Sequence, residues 1–303
     1  MVSLLQRNKG TILREFSEKL YRHGKEETGT YYRERGSLRL SFYADCLSIV
    51  GHHRKTCIRM ARCIFCGTTS GPFSTREHIL PECIGGGNWA VLPDGLFCDL
   101  CQNRFGSKIE QQALGDYPFS FFRVFLGIPT KKGKPPWFKS WEGIMRASLR
   151  PGILGYDPAP VFEKAVLSGK KTQIRLLAHP LKPDLICRFL LKMGIEVVAS
   201  DNKQDVFCPK FDGARRFALT GEKPGKWWYL QRERFDLASR YFTRGVTTRE
   251  WADNVRLEVV KIDGEQEMFH LTLLYLDILV PLTSMIIPQF DGLEEPEYRL
   301  FWV

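Results

Sequence analysis

The sequence predicts an α+β fold in which a small metal-stapled unit is joined to a mostly antiparallel α+β C-terminal domain. Three observations point there. Two Cys-x2-Cys pairs, Cys63/Cys66 and Cys98/Cys101, fall in one short segment. Residues 184–199 place Leu185, Ile186, Phe189, Leu190, Met193 and Val197 at helical spacing. Strand patterns appear at 173–178, 227–232, 255–262, 268–280 and 298–302, with Gly264 marking a hairpin. Grouped strands beside a few helices argue for antiparallel layers. A chain of 303 residues can bury a sizeable core and hold two domains.

The cysteines define the first unit. Nine occur, an odd number with no signal-peptide pattern, which argues for a reducing compartment such as the cytoplasm and against a disulfide framework. A thiolate pair two residues apart grips one tetrahedral Zn²⁺ from a tight turn, and two such pairs complete a four-cysteine knot. The 31 residues between Cys66 and Cys98 exceed an ordinary zinc-ribbon gap, so more than a turn lies between the knuckles. Cys83 reads as a buried thiol. Cys46, Cys57, Cys187 and Cys208 stand alone and read as small core residues.

Between the knuckles lies Glu77-His78-x2-Pro81, followed by Gly85-Gly86-Gly87. His78 is the only histidine between Cys63 and Cys101. An imidazole titrates near neutral pH and can take a proton from water. A glutamate beside it offers a hard oxygen ligand for Mg²⁺ or Mn²⁺. Pro81 and the glycines suit a tight loop. The string ends in Cys98-x2-Cys101-Gln102-Asn103. With these motifs, residues 63–110 resemble the HNH endonuclease family, in its branch with two CxxC pairs.

That resemblance implies a ββα-metal unit: a first strand ending at the histidine, a second strand leading to the last CxxC, then a helix carrying a metal ligand. It implies His78 as the general base that activates water and Glu77 as a ligand of one catalytic Mg²⁺ or Mn²⁺. The ion would stabilise charge on the leaving 3′ oxygen. The family places His or Asn directly after the final Cys. Here Gln102 stands there with Asn103 one step later, so both are candidate ligands, and Asn103 a candidate catalytic residue. Where the family has its central Asn this chain has Leu92, and Asn88 and Asp94 are candidates for the orienting role. The alternative is a catalytically inactive, zinc-stabilised module that binds nucleic acid or protein.

A helix is expected from Asp99 to about Leu114, with Gly115 as its stop. Asn103 and Glu110 share a face, so Glu110 is a candidate metal-site or supporting group, with a solvated surface residue as the default reading. Arg104, Ser107 and Lys108 are candidate phosphate contacts.

Net charge is +10, unevenly spread. Residues 61–118 hold four basic and six acidic side chains, whereas residues 119–182 hold twelve basic and three acidic. Lys131, Lys132, Lys134, Lys139, Arg146 and Arg150 alternate with Trp137, Phe138 and Trp141 around a Gly133-Pro135-Pro136 loop. Lysine and arginine neutralise phosphate and aromatics stack on exposed bases, so the expected partner is DNA, with RNA also open.

The expected domains are a loosely ordered extension or early-start artefact (1–59), the metal-stapled unit (60–115) and the α+β domain (116–303). Residues 116–126, rich in phenylalanine, are expected to dock the two folded parts, and a short helix is expected at 211–220 opened by Asp212. His179 and His270 read as structural. The apolar C-terminal stretch is broken by Asp277 and Pro281 and falls short of the ~20 residues a membrane span needs.

Overall fold

Cys98 leads directly into the helix that organises the first unit. The computed structural model describes residues 61–303 apart from 131, 140–141, 149–150, 171–178, 224, 263–265 and 288–294. The expected extension 1–59, the strand at 173–178, and Cys46, Cys57, Lys131, Trp141, Arg150 and Gly264 lie outside the described residues. Helix α1 (Asp99–Phe105) runs through a π-helical turn at Gly106–Glu110 into α2 (Gln111–Leu114). Phe105, Ile109 and Ala113 recur every four residues and are all fully buried. A regular α-helix would rotate that series off the core, and the wider turn holds it in place.

Helix α3 (Phe119–Phe125) is the expected docking cluster. Phe119 meets Phe189 edge-on at 5.2 Å, Phe122 stacks on Tyr275 at 5.2 Å and Phe125 packs on Phe242 at 4.8 Å. The expected loop at 133–136 is present and leads into a small sheet that the sequence did not announce. Strands β1 (Trp137–Lys139), β2 (Gly143–Ala147) and β3 (Leu154–Pro158) pair antiparallel in that order. Strands this short show too little alternation to stand out from a loop. Helix α4 (Pro160–Leu167) follows.

The expected helix at 184–199 is α5 (Pro183–Asp201), and α6 (Asp212–Thr220) packs on it. Proline at the first helical position gives α5 a preset start. Strands β4 (Trp228–Glu233), β5 (Val255–Ile262), β6 (Gln266–Leu273), β7 (Leu276–Pro281) and β8 (Tyr298–Trp302) form one antiparallel sheet in the order β5-β6-β7-β4-β8. The single strand expected at 268–280 is two, β6 and β7. Leu274 at φ 56° makes the turn that apolar composition concealed. Helices α7 (Phe235–Arg244) and α8 (Thr248–Asp253) precede β5, and Thr247 with Glu250 forms a capping box on α8.

Alternation along β6 sorts the sheet into two faces. Phe269, Leu271 and Leu273 join the main core beneath α5, while Met268 joins Trp228, Leu230, Leu279 and Tyr298 on the other face. Helix α5 sits close: a side chain at Gly194 would meet Phe269 Cβ at 2.7 Å. One face of α5 therefore covers the sheet while another reaches the cysteine-rich unit. Among the described residues no helix is long and apolar enough to cross a membrane.

Candidate active site

The two knuckles are knitted together by backbone. Gly67 N donates to Cys63 O and Cys63 N to Thr68 O, both at 2.9 Å, closing the first turn. Arg62 N and Ile64 N donate to Gly95 O and Leu96 O, bringing the second knuckle alongside. All four Sγ atoms of Cys63, Cys66, Cys98 and Cys101 lie within 4.8 Å of one another, with Cys66 and Cys98 3.7 Å apart. Zinc–sulfur bonds of ~2.3 Å in a tetrahedron put sulfurs about 3.8 Å apart, so the cluster suits Zn²⁺. The thiols already interact. A hydrogen bond from Cys101 draws Cys63 down to about 4, and burial pushes Cys98 up to about 11. Cys83 is not part of the cluster, and Cys208 is exposed rather than a core thiol. At the start of α1 the Asp99 carboxylate accepts from Ser74 Oγ at 2.5 Å, Thr75 Oγ1 at 2.7 Å and both backbone N–H groups. Those hydrogen bonds hold its carboxyl below the usual range and tie the incoming loop to the helix.

Residues 77–79 run antiparallel to 90–92. His78 bridges Val91, Ile79 N donates to Ala90 O at 2.7 Å, and Leu92 N donates to Glu77 O at 3.0 Å. Extended backbone sends neighbouring side chains to opposite sides. Glu77 therefore turns inward, 6% exposed, and His78 turns outward. The Glu77 carboxylate lies 2.5 Å from Lys192 Nζ of α5. The same ammonium lies 2.7 Å from Glu110 and 3.0 Å from Glu196. Burial alone would depress Lys192, but Glu196, Glu77 and Glu110 hold it well above the usual lysine range. Burial pushes Glu196 well above the carboxylate range against the pull of Lys192.

This arrangement corrects two expectations. Glu110 is not a solvated surface residue, because it closes the Lys192 cluster. Glu77, expected as a metal ligand beside His78, is turned into the interior by the strand's period of two and paired there with Lys192.

The open face carries a different set. His78 Nε2 lies 3.7 Å from Glu82 Oε1, and its Nδ1 is buried with no hydrogen-bond partner among the described residues. Arg76, two residues before His78, falls on the same side, and its Nη2 donates to Asn88 Oδ1 at 3.0 Å. Of the two orienting candidates, Asn88 thus holds Arg76, and Asp94 is exposed. Gln102 Nε2 donates to Arg76 O at 3.1 Å, which brings α1 against the motif, while Asn103 points to solvent. The glycine loop fits tightly. A side chain at Gly86 would strike Leu80 O at 1.7 Å, and one at Gly85 (φ 96°) would strike the Trp251 ring of α8.

A catalytic divalent ion does not fit the ligand set expected for it. Glu77 is withdrawn, and among the described residues the four cysteines are the group of His, Cys, Asp or Glu side chains placed to share an ion. Arg104, Lys108, Lys132, Lys134 and Lys139 are all exposed, while Arg146 is paired with Asp157 at 2.5 Å. His270 is structural. Burial opposes its charge, but Asp277 and Glu258 raise it to about 9.

Sequence reading missed Arg76, Glu82 and Lys192. Alternation from His78 was the available signal for Arg76. For Lys192 it was a lone charge inside an apolar helical stripe, four residues before Glu196.

No curated protein and no solved structure matches the chain. The zinc-knuckle segment that carries His78, residues 63–117, matches the model of the HNH endonuclease family.

Proposed function

We propose that residues 63–117 hydrolyse DNA phosphodiester bonds, with His78 as general base and Arg76 as the cation that holds the phosphate. The observation that carries this reading is the outward face of the 77–79 strand. There the partly exposed His78 imidazole, its Nε2 3.7 Å from Glu82, lies two residues along the chain from a guanidinium steadied by Asn88. His78 takes a proton from water as the oxygen attacks phosphorus, through Nε2, because Nδ1 is buried. Glu82, near Nε2, favours the imidazolium that results. Arg76 meets the non-bridging oxygens, where a guanidinium offers a planar fork of donors. The 3′ oxygen leaves and is protonated by solvent. Mg²⁺ or Mn²⁺, the ion implied by the family resemblance, would supply further positive charge. Glu82 beside His78 is the exposed carboxylate on this face that could take part in holding it. The four-cysteine knot would keep its zinc as a structural ion.

The withdrawal of Glu77 onto Lys192 favours a second reading, a zinc-stabilised module that binds nucleic acid without cutting it. Nicking of supercoiled plasmid by zinc-loaded protein, with and without added Mg²⁺ or Mn²⁺, separates the two. Wild type is expected to nick and His78→Ala to lose about 10²- to 10⁴-fold in rate. Absence of cleavage by both proteins, with DNA still retained in a gel shift, would establish the binding module. The same water activation serves RNA, so single-stranded RNA is the companion substrate.

A further inference from the structure

A cavity of about 580 Å³ opens where the matched segment ends, between residues 114–117, helix α3 and strand β1. Its volume is in the range of small-ligand sites, and its walls combine aromatic surface with positive charge. Trp137 and Phe138 line it from β1, with the Trp137 side chain 57% exposed. Arg123 and Lys139 bring two cations to the wall, and the exposed His179 lies at its rim. Ser120 Oγ and Arg123 Nε are buried without a hydrogen-bond partner among the described residues, and both residues line the cavity. The one acid in the wall, Asp116, is engaged by the backbone N–H groups of Tyr117, Leu181 and Lys182 at 2.8–3.0 Å. Lys132 and Lys134 stand exposed on the loop leading into β1.

We infer that this cavity takes one unstacked nucleotide of a single-stranded segment, its base against Trp137 and its phosphate between Arg123 and Lys139. The inference rests on the nucleic-acid hydrolase reading for its substrate class and deepens it. An anion alone would leave the aromatic wall without a partner, and an apolar ligand would leave Arg123 and Lys139 unmatched. A duplex does not enter a hollow of this volume, whereas one splayed-out base with its sugar-phosphate does. Every base has a π-face, so stacking on Trp137 tolerates any sequence. Lys132 and Lys134 are placed to meet the flanking phosphates and give the binding a salt dependence.

The test is fluorescence anisotropy of a short labelled oligothymidylate, with a blunt DNA duplex and inorganic phosphate as competitors. It is made on the zinc-loaded full chain carrying His78→Ala, so that turnover does not intervene. Adding Trp137→Ala is expected to weaken oligothymidylate binding about tenfold, the usual worth of one base–aromatic stack, and Trp137→Phe to restore most of it. Arg123→Met is expected to weaken binding and lower its salt slope. Equal oligothymidylate affinity in the parent, Trp137→Ala and Arg123→Met would overturn the subsite. So would inorganic phosphate competing as well as the oligonucleotide, which would mark an anion site, or duplex competing better than single strand. Plasmid cleavage by wild type is followed separately. Its absence alongside Trp137-dependent binding would remove the hydrolase and keep the subsite. Cleavage without Trp137-dependent binding would do the reverse.

Discussion

Lys192 is the residue on which the interior of the active-site unit turns. Its side chain is fully buried and its ammonium faces three carboxyl groups. Removing one partner of such a cluster leaves charge uncompensated in low dielectric, at a cost of about 3–5 kcal/mol. Lys192→Met should therefore shift the urea midpoint well down, and adding Glu77→Gln and Glu110→Gln should recover part of the loss. An unchanged midpoint in Lys192→Met would show that the ammonium is not the counter-ion. His270 makes a prediction of its own. Raised from 6.5 to about 9 in the fold, it contributes stability that is complete below pH 6.5 and lost as pH rises through 9. That contribution is on the order of 3 kcal/mol. Asp277 and Glu258, both lowered in the fold, contribute above the carboxylate range and lose their share in acid. Melting temperature should fall between pH 6.5 and 9, and His270→Gln should flatten that decline. A variant that keeps the full slope would assign it elsewhere. At this scale the sequence was read half correctly. The glutamate next to His78 drew attention by adjacency in the chain. Adjacency in a strand is opposition in space, so Glu77 turns inward to Lys192 while Arg76, one residue further back, pairs with Asn88.

At the scale of elements, the four-cysteine cluster and α1 form one device. Cys98 and Cys101 open the helix, Asp99 ties its start to the Ser74-Thr75 loop, and Gln102 reaches the motif strand. Zinc in such a knot supplies folding free energy outright. Cys63→Ser or Cys98→Ser, or chelation of the wild type, should release zinc and remove cooperative melting of this part. Full zinc content with an unchanged melt in both variants would refute the four-thiolate assignment. Elements with strong periodicity were legible: α5, α6, and strands β4, β5 and β8. So was the helix after the knot, apart from its π-helical turn. Most of the elements that escaped are short: strand β1 has three residues and α8 six. Helix α7 is amphipathic, with Tyr241 buried and Phe242 packed on Phe125, and its pattern was an available signal. The β6–β7 turn is made by Leu274 in a run of apolar residues, where no glycine or asparagine announces it.

The whole molecule divides its labour by charge. The matched segment is slightly acidic, and the basic excess lies beyond it, in residues 119–182. Part of that excess lies at the surface, on the loop leading into β1 and on β1 itself, where Lys132, Lys134 and Lys139 are exposed and Lys139 lines the cavity. The phenylalanines of α3 fix this surface relative to His78 by packing against α5, α7 and the β6–β7 turn. Composition made the polarity of the charge legible, but the sheet that displays it was hidden by its short strands. The Lys192 cluster adds a constraint on inheritance. Two of its three acids, Glu77 and Glu110, belong to the segment that matches the HNH endonuclease model, and the lysine that balances them is supplied by α5, 75 residues past the end of the match. The matched segment in this chain is accordingly not portable. Lifted into another scaffold, it would arrive with two inward-facing acids and no cation, so recombination that exchanged this segment alone would be selected against, and the two halves are bound to evolve as a pair.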